Sequence, residues 1–234
     1  LEQLVFEFAP PEPPRIANFL VGRNGELIAA LTRFAGGDHG ETGFLLWGGP
    51  GAGKTHLLLA ALALAAERGI ETRFCADPQA VAADPGGAQA LVAIDQVDDA
   101  DALAAGRIFT LYNQLKERGG RLLVASRAPL GGLPLREDVR TRLGWGLVYE
   151  VLPLQDEEKA AALATYAAQR GFRLSSEVID YLLRHGRRDM RSLVATLAAL
   201  DRLSLAAKRP VTVPLLRQWL ERGATQAGGT AGDG

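Results

Sequence analysis

The segment Gly48-Gly49-Pro50-Gly51-Ala52-Gly53-Lys54-Thr55 constrains this chain more than any other. It fits G-x-x-x-x-G-K-[ST] throughout, and such a loop works only between a strand and a helix. Its glycines let successive backbone N–H groups curl around a phosphate without Cβ clashes. The helix behind it adds the positive end of its dipole. Lys54 is placed to reach β- and γ-phosphate oxygens as a point charge, and Thr55 to offer its hydroxyl to Mg2+. The flanks agree. Gly43 to Trp47 is a short apolar strand, and Thr55 to Arg68 is a strongly apolar helix ended by Gly69. A plain glycine turn is the alternative, and the agreement of motif with context selects phosphate binding by Gly49, Pro50, Gly51, Ala52, Gly53, Lys54 and Thr55.

A phosphate loop of this type needs an acid for Mg2+ at the end of another strand. Leu91-Val92-Ala93-Ile94-Asp95 supplies it about forty residues further on. An apolar run ending in Asp is common by itself; its position after a complete loop is what makes it informative. The next residue is Gln96, which can position water but is a poor base. Asp98 and Asp99 follow and read as a solvated turn or helix cap.

The remaining pattern alternates short apolar runs with helices. Arg73 to Cys75, Ala90 to Ile94, Arg121 to Ala125 and Leu147 to Val151 read as strands, and Asn24 to Phe34 and Arg107 to Glu117 as helices. This predicts a parallel sheet covered by helices on both faces. After Pro153 no strand intervenes. Asp156 to Arg170, Ser175 to His185, Asp189 to Ala207 and Val213 to Arg222 read as helices, with Ser175 or Ser176 capping the second. The expected organisation is a short N-terminal peptide and proline-rich linker (1–17), an α/β nucleotide-binding domain (18–153), a small all-helical domain (154–222) and a Gly/Ala/Thr-rich disordered tail (223–234).

Composition narrows the classes. In 234 residues, 47% are hydrophobic and the net charge is −1, so a sizeable core is available and no bulk attraction to nucleic acid or anionic lipid is implied. Cys75 is the single cysteine, which rules out an intrachain disulfide framework and fits a reducing cytoplasm. No apolar run has membrane-spanning length, and the first residues do not read as a secretory signal. A cytoplasmic protein with no membrane partner is expected.

Several separated motifs resemble one family. The strand pair, Asp95 and the helical C-terminal part look like an AAA+ P-loop NTPase. Asn18-Phe19-Leu20-Val21-Gly22-Arg23-Asn24, the loop followed by His56, Thr141-Arg142-Leu143-Gly144-Trp145-Gly146 and Asp189-Met190-Arg191-Ser192-Leu193 resemble, in order, segments of the DnaA clade. Too few residues follow Arg222 for the helix-turn-helix domain of DnaA, and this arrangement resembles the Hda family of DnaA-homologous regulatory inactivators.

That resemblance implies ADP or ATP with Mg2+ as cofactors, Thr55 and Asp95 at the metal, and Phe19 and Val21 on the adenine side. It places His56 and Arg191 at the chain's own nucleotide, and Arg142 as an arginine finger acting in trans. It implies that Gln3, Leu4, Phe6 and Phe8 bind the DNA polymerase sliding clamp (beta subunit), so that DNA is met through the clamp, and that DnaA is the partner whose bound ATP is hydrolysed. Self-association is left open. Arg127 stands where the family shows an acidic residue. With Gln96 this departure points to a chain that holds nucleotide as a switch and has weak or no hydrolysis of its own. The alternative is an autonomous AAA+ ATPase, a helicase loader or initiator-like motor touching DNA.

Overall fold

Three almost wholly apolar runs, Gly43–Trp47, Leu91–Ile94 and Arg121–Ser126, are too short to bury a helix and form strands covered on both sides, while Thr72–Cys75 and Leu147–Glu150 are mixed, partly exposed strands at the edges. The computed structural model describes residues 13–38, 40–187, 189–207 and 210–228. Two compact units divide between Leu152 and Pro153.

In the first unit the strands are β1 (Gly43–Trp47), β2 (Thr72–Cys75), β3 (Leu91–Ile94), β4 (Arg121–Ser126) and β5 (Leu147–Glu150). They form one parallel sheet in the order β2-β3-β4-β1-β5. Register aligns Leu45 with Val124 and Val148 on either side. The two-residue period of a strand then sorts the side chains. Phe44, Leu46, Leu91, Ala93, Leu123 and Ala125 pack on one face under α1 (Gly25–Gly36) and α2 (Lys54–Glu67). Leu45, Val92, Ile94, Leu122 and Val124 pack on the other under α3 (Ala102–Glu117) and α4 (Glu137–Gly144).

Two elements depart from expectation. Helix α3 begins at Ala102, not at Arg107, because the Asp101 side chain accepts the Ala104 N–H and caps it there. Helix α4 was not expected. Half of its residues are charged and it buries only Val139 and Leu143, too sparse a stripe to register as periodic.

One polar pair joins distant ends of this unit. Asn24, 3% exposed, precedes α1. Its Nδ2 donates to Leu152 O (2.9 Å), and Leu152 N donates back to its Oδ1 (2.8 Å).

The second unit is helical: α5 (Asp156–Gln169), α6 (Ser176–His185), α7 (Met190–Ala207) and α8 (Val213–Gly228). Leu163, Val178, Leu182, Leu193, Leu197 and Leu216 form its core. Ser175 caps α6 by accepting the Val178 N–H. Helix α8 runs past Arg222 to Gly228, so the disorder expected from Gly223 onward is corrected over 223–228; alanine and glutamine favour helix enough to carry the chain through Gly223. Residues 229–234 lie outside the described set. No helix among the described residues is long and apolar enough to cross a membrane.

Candidate nucleotide site

The strand order decides where the site lies. β1 carries the phosphate loop at its carboxyl end, β3 ends next to Asp95, and β4 runs between them. A crevice at the carboxyl ends, where chain connections diverge, is the usual ligand position in such sheets. Two backbone bonds pin the loop's start: Gly48 N donates to Ser126 O at the end of β4, and Val151 N donates to Trp47 O from the β5 side.

Gly53 is the residue whose conformation the loop most needs. Its φ is +100°, and a Cβ there would meet Phe19 Cε2 at 2.8 Å. Lys54 follows at the first position of α2. Its Nζ donates to Gly48 O (2.6 Å) and Gly49 O (2.9 Å), so the ammonium lies across the loop it serves. Burial pushes its pKa down and Arg127 adds to that, while Asp95 and Asp98 pull it back up. Lys54 therefore shares its pocket with three other charged groups.

Thr55 Oγ1 donates to Asp95 Oδ2 at 2.5 Å. Asp95 is 6% exposed; its Oδ1 accepts the Gln96 N–H, and its own N–H donates to Cys75 O of β2. A hydroxyl and a carboxylate held side by side next to a phosphate loop are hard oxygen donors suited to Mg2+. No three His, Cys, Asp or Glu side chains converge on a metal among the described residues. A metal here would thus complete its shell with phosphate and water oxygens, as Mg2+ ordinarily does.

The loop after Asp95 differs from the solvated turn expected. Gln96 has a left-handed backbone (φ +52°) and is exposed, and Val97–Asp99 form a 3-10 turn. Asp98 is not solvated: its side chain is 7% exposed. Its Oδ2 accepts Arg127 Nε at 2.5 Å and its Oδ1 accepts the Arg127 backbone N–H at 3.0 Å. Asp99 accepts a second guanidinium N–H from Arg127. These carboxylates raise the Arg127 pKa, Asp98 most of all through its hydrogen bond. The pairing went unread in the sequence because only the adjacency of β3 and β4 brings the two ends together.

The segment before α1 lies on the loop. Phe19 is half-buried against Gly53, with its ring 5.6 Å from that of His56. His56 Nε2 stands 3.0 Å from Arg15 O, and Arg15 pairs with Glu67 of α2. Val21 is 39% exposed.

Arg142 lies elsewhere, near the end of α4. Its guanidinium carbon is 4.9 Å from the Phe109 ring centroid and 4.4 Å from that of Trp145, and its Nε donates to Asn113 Oδ1 at 3.2 Å. Arg136, six residues before it, is paired with Asp138 at 2.7 Å. Arg191 lies in the first turn of α7, and its side chain is outside the described set. Gln3, Leu4, Phe6 and Phe8 also fall outside it.

Known proteins agree with this geometry. The family model of the Hda lid domain matches residues 156–220. Domain III of the replication initiation protein DnaA from Thermotoga maritima superposes with a TM-score of 0.74 at 16% identity, covering 89% of this chain and 95% of that one. AMPPCP-bound DnaA from Aquifex aeolicus gives 0.65 at 20% identity, over 83% of this chain and 67% of that one. The Thermotoga maritima RuvB Holliday junction branch migration motor gives 0.67 at 17% identity, over 89% and 72%. These structures share the AAA+ fold, a nucleotide-binding α/β unit followed by a helical lid. The chain thus has the AAA+ fold, and its residues 156–220 match the Hda lid domain.

Proposed function

We propose that this chain is a nucleotide-bound regulator of replication initiation: it binds ADP or ATP with Mg2+, docks on the sliding clamp through Gln3, Leu4, Phe6 and Phe8, and stimulates hydrolysis of DnaA-bound ATP through Arg142. The observation that carries the nucleotide part is the convergence of Lys54, Thr55 and Asp95 at the carboxyl ends of β1 and β3. Lys54 and the loop N–H groups would bind the polyphosphate, and Thr55 and Asp95 would hold the metal. That metal would neutralise phosphate charge. His56 and Arg191 would contribute to binding the same nucleotide, and Phe19 and Val21 would lie on its adenine side.

The chain's own turnover is expected to be low. Gln96 is a weak base, and the carboxylates that could replace it, Asp98 and Asp99, are engaged by Arg127. Bound nucleotide then serves to set the conformation of the regulator, and the hydrolysis that matters takes place in the partner. Arg142 supports that reading because no carboxylate pairs with it among the described residues, which leaves its charge free for a phosphate elsewhere.

The test combines two measurements. A pull-down with the sliding clamp, with and without residues 1–8, reports docking; retention without the peptide would refute that part. DnaA ATP hydrolysis with the clamp loaded on DNA reports the finger. Arg142→Ala should abolish stimulation while nucleotide affinity stays intact, and Lys54→Ala should abolish nucleotide binding. High DNA-dependent turnover by the isolated chain would favour an autonomous motor.

A further inference from the structure

An arginine that serves another molecule's phosphate faces two opposed demands. It must be oriented, since a free side chain spends much of its time in useless rotamers. It must also keep its charge, since an adjacent carboxylate would neutralise it and compete for its donors. The surroundings of Arg142 meet both. Phe109 and Asn113 sit four residues apart on α3, hence on one face of it, and Trp145 follows α4 directly. The two rings hold the guanidinium between them at 4.9 and 4.4 Å, and the Asn113 amide oxygen takes the Nε proton. All three partners are uncharged. Guanidinium stacks on aromatic faces without losing its in-plane donors. The contact at Nε leaves the terminal nitrogens for another acceptor.

The surface around it favours an anion. Trp145 is 52% exposed and carries a second cation, with Lys116 Nζ 5.1 Å from its ring centroid. Two cations on one exposed indole repel each other, and an incoming polyphosphate would relieve that repulsion. By contrast Arg136, also on this surface, is already neutralised by Asp138.

We propose that Phe109, Asn113 and Trp145 are positioning residues that present Arg142, oriented and unneutralised, to a nucleotide polyphosphate held by a partner AAA+ subunit. This rests on the reading of Arg142 as a group acting in trans.

The experiment measures partner ATP hydrolysis against regulator concentration, using full-length chain, DnaA and DNA-loaded clamp. Trp145→Ala should lower maximal stimulation on the order of tenfold with little change in the half-saturating concentration, and Trp145→Phe should restore most of it. Asn113→Asp keeps the size of the side chain but sets a carboxylate beside Nε, and should cut stimulation more than Asn113→Ala does. A merely structural role for Asn113 would not produce that ranking. Each variant's own nucleotide binding and unfolding midpoint serve as folding controls. If Trp145→Ala moves only the half-saturating concentration, or if Asn113→Asp stimulates as well as Asn113→Ala, the positioning role is overturned. If Arg142→Ala itself stimulates normally, the in trans reading fails, and that outcome is distinct from the other two.

Discussion

Asn24→Ala is expected to weaken the nucleotide-binding unit by about 2–4 kcal/mol, although position 24 lies outside the phosphate loop. The figure follows from what the substitution leaves behind. Asn24 exchanges two hydrogen bonds with the backbone of Leu152, and it is 3% exposed. A neutral hydrogen bond is worth roughly 0.5–1.5 kcal/mol net, but a buried group stranded without its partner costs about 1–3. Leu152 is half-buried, so water can reach part of what alanine abandons. That sets the estimate between two ordinary hydrogen bonds and two fully stranded groups. Asn24→Asp is the informative companion. It keeps an acceptor for Leu152 N–H but puts a carboxylate oxygen against Leu152 O, so at neutral pH it should be no better than alanine, and acidification into the carboxylate range should recover part of the loss. The assay is urea unfolding followed by tryptophan fluorescence, with the slope checked for constancy. A loss below about 0.5 kcal/mol for Asn24→Ala would refute the reasoning, since it would mean that both Leu152 groups find water at no cost.

Gly53→Ala should impair nucleotide binding and cost about 1–2 kcal/mol from its left-handed backbone alone; adding Phe19→Ala should relieve the 2.8 Å clash but not the backbone term, so full recovery of the melting temperature in the double variant would refute this account. Arg127→Ala leaves the nearly buried Asp98 carboxylate unpaired and should lower the melting temperature, and Asp98→Asn in that background should raise it again; failure of the second change to recover any stability would show that the pair is not what holds the β3 and β4 ends together. The Asp189 pKa is lowered: burial pushes it up, but hydrogen bonds from Ser192 and its own backbone, with Arg187 nearby, outweigh that. A depressed carboxylate stabilises above its unfolded pKa and loses that contribution as pH falls through the folded one, so the helical unit should weaken below the ordinary carboxylate range, and Asp189→Asn should flatten that part of the stability–pH curve.

Local sequence was enough for much of the molecule. The phosphate loop, Asp95, five strand cores and four lid helices were all readable, because each depends on residue types at short spacing: glycines for a tight turn, short apolar or mixed runs for strands, 3.6-residue stripes for helices. Helix α4 was missed because it buries two residues only, and the start of α3 because its cap, Asp101, precedes an alanine stretch with little contrast.

What tertiary structure alone decided is which ends meet. Thr55 and Asp95 are forty positions apart, and the 2.5 Å between their oxygens exists because the sheet places β4, and nothing else, between β1 and β3. The same order turned Asp98 and Arg127 from a solvated turn and an odd strand end into a charge pair beside Lys54. It also gave Arg142 two aromatic faces and an amide where the sequence shows it only as one of three close arginines, Arg136, Arg140 and Arg142. Residue types and spacing determine which elements form; the order in which the strands pair determines which side chains share a low-dielectric pocket, and chemistry depends on the second as much as on the first.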